Sequence, residues 1–391
     1  MKLLVQGTVA EPVYSGTGNL RNGVIDLASL RKPILVPSAG LRFAGNQATL
    51  EHLSATIGNS HVTGSVTVKN FARPMIGFDA AVDRLDVAEM QGWTAAPGSE
   101  KSPKSARALE GNGTIQIGKL TMNQLILEQV RATCALTGGV IRLDPLTANV
   151  FGGQQAGTVT LDARATPPTY AIETRLVNVD ANQLLSATSA VRNVFHGALS
   201  GNANVRFTPV AGQEIARGLN GDVRLQVTNG RLAGVQLLNE MARLGRFLGY
   251  APRNEGFTNI QQLSGSLQIQ NGIAHTDDLQ MQFDGGSLSG AGLMNLVDQS
   301  LNLKLTTVLQ KDLMPANGGK VGGLLSTALA NAKGELVIPA IVTGTFASPR
   351  FEPDPGRIAK LKIDGLLPTK DNPGSLANTI QGLFEGLKGK K

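Results

Sequence analysis

The chain has 391 residues, of which 47 are glycine, about 12% against an average usage near 7%, and only 17% are charged. It is too long for one small domain and too apolar for disorder, which leaves several domains or one elongated body built from repeats. Of the formal charge of +7, four units fall in residues 356–391, where seven basic residues stand against three acids. The body is therefore nearly neutral and lacks the clustered basic face that nucleic acid requires.

Hydrophobic residues make up 41% of the chain, yet Phe, Tyr and Trp number 12, 3 and 1, so the apolar surface is aliphatic. A single cysteine, Cys134, excludes an intramolecular disulfide or a Cys-based zinc site, and suits cytosol or periplasm equally. Met1 to Val5 is followed at once by Gln6, Gly7 and Glu11, so no signal-peptide core is expected there. There is no 18-residue apolar run, and no membrane-spanning helix is expected in the sequence as it stands.

Along the chain, period-two alternation predicts strands at Phe78-Ala80-Val82, Ile115-Ile117, Val130-Ala132-Cys134-Leu136, Val223-Leu225-Val227, Leu267-Ile269, Leu279-Met281-Phe283 and Leu301-Leu303-Leu305. Asn22-Gly23, Asn229-Gly230 and Asn271-Gly272 read as type I′ hairpin turns, which need positive φ at both centres. Helical spacing is confined to residues near 181–196 and 233–249, a small-residue stretch near 324–332, and the tail. Aperiodic residues 95–106 read as a linker or long loop, and the prolines of 349–356 end the sheet pattern. The expected organisation is a first β segment at 1–94, that linker, a β region at 107–354, and a basic tail at 355–391 with an amphipathic helix at 375–388.

Three copies of one unit recur. Gly139 to Gly157, with Asp144, Leu146, Gly152 and Gly153, aligns without a gap onto Gly272 to Gly290, with Asp277, Leu279, Gly285 and Gly286, at an offset of 133. Leu53 to Gly64, Pro74 and Asp86 match the same pattern at an offset of 93 or 94. The predicted class is therefore mainly β with a few helices, repeat-built, with glycine permitting each sharp reversal.

Asn178-Val-Asp180 to Leu185, Leu219-Asn-Gly221-Asp with Asn229-Gly230, Phe257 to Gly272 with Asp277-Asp278-Leu279, and Thr343 to Pro349 leading to Pro353-Asp354 occur in this order within the stretch from Leu127 to Asp354. In that order they resemble the C-terminal region of the AsmA family of bacterial envelope proteins. The resemblance implies an elongated, curled antiparallel sheet forming an apolar groove, a periplasmic location with inner-membrane association, and a role in phospholipid transport or outer-membrane assembly and homeostasis. The family's N-terminal membrane helix and opening domain have no counterpart here, which implies the C-terminal half of a family member or a truncated gene model.

In such a groove, Val223, Leu225, Val227, Leu267, Ile269, Leu279, Met281, Phe283, Leu301, Leu303 and Leu305 would contact a phospholipid or other acyl-chain lipid. By spacing alone they fit the core of a closed sandwich better; the resemblance reverses that preference and favours the groove. In the tail, Leu376, Ile380, Leu383, Phe384 and Leu387 follow the capping Ser375 at helical spacing and precede Lys388, Lys390 and Lys391. That helix would lie on a membrane surface or cap the end of the sheet.

No enzyme, cofactor or metal is expected. His52, His61, His196 and His275 are scattered, no G-x-S-x-G occurs, and Gly318-Gly319-Lys320 lacks both the first glycine and the hydroxyl residue of a phosphate loop. Gly290-Ala-Gly292 lacks the third glycine of a dinucleotide turn, and Asp277, Asp278 and Asp284 read as turn residues. An envelope scaffold that pairs with other envelope proteins through its sheet edge, without lipid, is the alternative.

Overall fold

The computed structural model describes residues 2–8, 12–26, 31–93, 110–189, 192–193, 195–209, 215–233, 257–310, 331 and 335–366. These residues form nineteen strands and three α-helices, so the protein is mainly β. They gather into two compact units, one within residues 1–190, 198–224 and 269–272, the other within 191–197, 225–268 and 273–391.

In the first unit β1 (Lys2–Gly7), β2 (Pro12–Ile25), β3 (Ile34–Gly45), β4 (Gln47–Ile57), β5 (Ser60–Lys69) and β6 (Met75–Asp86) lead into α1 (Val87–Trp93). Then come β7 (Glu110–Met122), β8 (Leu125–Thr137), β9 (Val140–Val150), β10 (Gly153–Asp162), β11 (Thr169–Asp180), α2 (Ala181–Thr188) and β12 (Phe195–Phe207). Each strand pairs antiparallel with the next, except β6 with β7, which run parallel. β6 enters α1 at one rim of the sheet and β7 starts again at the other. The segment 95–106 therefore belongs to a connection between two hydrogen-bonded strands of one unit, and it lies outside the described residues. This unit has a helix rim, with α1, α2 and the turns at Gly58 and Gly152, and a turn rim, with the reversals at Asn46, Asn70 and Gly138.

β13 (Asn220–Ala233) and β14 (Phe257–Gln270) each have residues in both units. The second unit holds the meander of β15 (Ile273–Phe283), β16 (Gly286–Asn295), β17 (Leu301–Leu309), β18 (Leu336–Thr345) and β19 (Ser348–Pro353), followed by α3 (Pro355–Leu366).

The three sequence repeats are three copies of one ladder. β4–β5, β9–β10 and β15–β16 begin and end at equivalent residues, and each pair shifts register at the same place: between Leu50 and Leu53, opposite Gly157 and Val159, and between Thr276 and Leu279. Leu53 faces Gly64, Leu146 faces Gly157 and Leu279 faces Gly290. The extra residue of a bulge bends its strand and raises the local twist. Glycine is required opposite it because the next strand comes close: a Cβ on Gly64 would lie 1.9 Å from the Asp79 carbonyl oxygen, and one on Gly157 2.0 Å from that of Glu173. In the first two copies an aspartate then caps a helix. Asp86 accepts from the Ala88 amide (2.8 Å) and Asp180 from the Gln183 amide (2.9 Å).

Three local expectations are corrected. Of the Asn-Gly pairs, Asn271-Gly272 makes a hairpin, between β14 and β15, with φ of 50° and 79°. Asn22 (φ 49°) and Asn229 (φ 50°) instead sit inside β2 and β13, where the left-handed residue kinks the strand without reversing it. The helix expected near 181–196 ends at Thr188, because the Thr188 and Ser189 hydroxyls donate to the carbonyls of Leu184 (2.8 Å) and Leu185 (2.7 Å) and Phe195 already opens β12. Asp278 is a bulge residue rather than a turn residue, accepting from the Ser266 amide (2.7 Å) and hydroxyl (2.8 Å), which hold its carboxyl below the usual range. α3 is an addition to the expected tail, begun by Pro355 and capped by buried Asp354, which accepts from the Arg357 amide at 3.1 Å. The helices expected at 233–249, 324–332 and 375–388 fall wholly or almost wholly outside the described residues.

Gly157→Ala should cost about 2–3 kcal/mol in urea unfolding, because the new methyl meets backbone that cannot yield. Gly77→Ala, whose nearest neighbour is 3.9 Å away, should stay within about 0.5 kcal/mol of the parent.

Candidate functional site

Register fixes which side chains share a face. In the first unit one row runs across ten strands: Gly18, Leu41, Leu50, Val66, Phe78, Gly113, Cys134, Leu143, Val159 and Ile172, with Val205 beyond. Every member from Leu41 onward is half-buried. The neighbouring row on the other face is Arg42, Thr49, Thr67, Gly77, Asn112, Ala135, Arg142 and Thr160, and the Thr67 hydroxyl donates to that of Thr49 at 3.3 Å. One face is thus aliphatic and the other polar.

Burial on the apolar face comes from side-by-side packing along the ladder. One cluster joins Val36, Ala39 and Ala55 to Leu20, Leu50 and Val62, and the next joins Val82, Ile117, Val130 and Ala148 to Val62, Ile115 and Leu146. Both clusters follow successive strands. Cys134 sits in this row, its thiol pKa pushed above 9.0 by burial among aliphatic neighbours.

In the second unit the register gathers six of the expected lining residues on one face. Leu279, Met281 and Phe283 of β15, with Leu301, Leu303 and Leu305 of β17, flank Leu288 and Met294 of β16 and meet Ile338, Ala340 and Val342 of β18. Phe283, Leu303 and Leu305 are only 2%, 7% and 4% exposed, and Ile358 of α3 packs against the same cluster. Leu225 and Leu267 are half-buried and Val227 buried in this unit, whereas Val223 and buried Ile269 belong to the first. Leu376, Ile380, Leu383, Phe384, Leu387, Lys388, Lys390 and Lys391 lie outside the described residues. Apart from Val223 and Ile269, sequence reasoning left the first unit out of the lining, although Phe78-Ala80-Val82 and Val130 to Leu136 carry the same alternation.

Polar constellations are sparse. His275 Nε2 lies 3.2 Å from Asp277 Oδ1 on an exposed strand surface. Among the described residues no group of three or more His, Cys, Asp or Glu is placed to hold a metal, and no helix is long and apolar enough to cross a membrane.

Residues 95–279, from the β6–β7 connection to the bulge of the third repeat, match the family model described as AsmA family. Over this region the chain is similar to the AsmA family. It is also similar to Protein AsmA of Escherichia coli (strain K12), 24% identical over 166 residues, which cover 41% of this chain and 27% of that protein. No solved structure matches. This similarity to the AsmA family points to an envelope-related role.

Thr307 is fully buried between Leu288 and Ile338, and its hydroxyl has no hydrogen-bond partner. Thr307→Val keeps the shape and removes the unpaired group, so it should stabilise the protein by about 1 kcal/mol in chemical unfolding.

Proposed function

We propose that this chain is a non-enzymatic envelope protein of the AsmA family whose aliphatic sheet face holds the acyl chains of phospholipid, serving lipid transport or outer-membrane assembly and homeostasis. The supporting observation is the apolar row of the first unit, continuous across strands and half-buried throughout. Aliphatic side chains left partly open over so many strands give a smooth wall along which a hydrocarbon chain gains burial without a fixed register. The buried face of the second unit continues the same chemistry as a proposed lining. A periplasmic location with inner-membrane association belongs to the same reading.

Cys134, the one cysteine of the chain, reports on this face directly. Protein purified without detergent should carry phospholipid in native mass spectrometry, and its removal should speed maleimide alkylation of Cys134 severalfold. Ile115→Asp should abolish co-purification while Thr114→Asp, on the polar face, should leave it intact. The alkylation rate should reach its plateau at a higher pH for Cys134 than for an exposed thiol, because burial favours the neutral thiol. Folded protein free of lipid, with Cys134 equally reactive before and after delipidation, contradicts the proposal.

The scaffold reading has one observation in its favour. β1 pairs with β2 and exposes Leu3 (42%), Leu4 (54%) and Val5 (55%), apolar residues on both faces of a terminal strand suited to strand addition. A photo-crosslinker at Leu4 that traps envelope proteins while no lipid is ever recovered would favour it.

A further inference from the structure

We infer that the turn rim of the first unit, around Phe71, docks on the surface of an anionic phospholipid bilayer. Aromatic residues are only 4% of the chain, yet three meet here. Phe71 stands edge-on to Tyr14, with ring centroids 5.9 Å apart, and Tyr14 lies 6.3 Å from Phe43. The loop that presents Phe71 is built for the purpose. The Phe71 amide donates to the Asn46 side chain (2.9 Å), the Asn70 amide to the Asn46 carbonyl (2.9 Å) and the Arg73 amide to the Asn70 carbonyl (3.0 Å).

The alternation that orders most of the sheet fails at this rim, as it also does at Leu3, Leu4 and Val5 and at the Val24–Leu35 pair. Tyr14 and Phe43 belong to the aliphatic face, but Val13 and Met75, on the polar face, are 45% and 51% exposed, and Phe71 is 38% exposed. A groove lining needs apolar residues on one face only. A rim that is apolar on both faces suits insertion into an interface that surrounds it, with aromatic rings at headgroup depth.

Charge supports the same occupant. Lys69 and Arg73 flank the aromatic group, and among the described residues neither has an acidic partner; Glu110, beside Met75, is the described carboxylate nearest in the ladder. Farther along the rim Arg164 is already engaged by Asp162, at 2.6 and 2.8 Å, so it is not counted as a lipid contact. Two unengaged cations beside an aromatic tip complement phosphate headgroups.

The test uses the full chain with Cys134→Ser and an environment-sensitive dye on Ala72→Cys, mixed with vesicles of phosphatidylcholine alone or with phosphatidylglycerol. The dye should shift to the blue on phosphatidylglycerol vesicles, and one at Thr114→Cys should not. Arg73→Gln should weaken binding to the anionic vesicles about fivefold and leave neutral vesicles unaffected, and Phe71→Ser should weaken both. A dye at residue 72 that stays water-like, even when the tail recruits the chain to vesicles, overturns the inference. Lipid co-purification is read separately, so loss of rim docking and loss of acyl binding are distinguishable.

Discussion

The close approach of a glycine to the neighbouring strand's carbonyl is the constraint on which this protein depends. At Gly64 and Gly157 no side chain fits, because the adjacent backbone lies where Cβ would be, and each glycine faces a strand that has gained a residue. Together the two devices bend and twist the ladder at a fixed interval. A sheet that coils in this way buries its apolar side chains partly against their own neighbours, so a long aliphatic face persists that no second layer among the described residues covers.

The two units put this principle to different degrees of use. In the first, the central row from Leu41 to Val205 is half-buried at every position. In the second, Phe283, Leu305 and Leu309 are almost fully buried and α3 contributes Ile358 to the same cluster. The same repeat therefore supports a well-covered apolar cluster in one unit and a more open face in the other, and the open face carries the proposed lipid contact.

Strand alternation and the three repeats were legible in the sequence because each is a local or periodic signal, whereas Gly64, Gly157 and Gly290, which read as residues of reversals, lie inside strands opposite a bulge. What was not legible depends on partners distant in sequence. Asn22 and Asn229 have the chemistry of a hairpin turn, and only the continuation of the strand beyond them makes them kinks. The parallel pairing of β6 with β7 leaves no mark in either strand, since Phe78 and Ile115 alternate alike in parallel or antiparallel ladders. The choice of lining residues was skewed for a related reason: richness in leucine made 279–305 conspicuous, but leucine-rich strands also mark the better-covered face. The more open face mixes Leu41, Leu50 and Leu143 with Val66, Val159 and Ile172 and with small residues such as Gly113, whose Cβ would lie 2.1 Å from the Phe78 carbonyl oxygen.

The central claim is that the aliphatic face of the first unit is open to hydrocarbon. A nitroxide on Cys134, read by power saturation in the lipid-loaded protein, tests it most directly. The account predicts strong relaxation by oxygen dissolved in the acyl chains and little by a water-soluble nickel chelate. A label shielded from both, or one that attaches only after unfolding, would show a closed core and contradict the account.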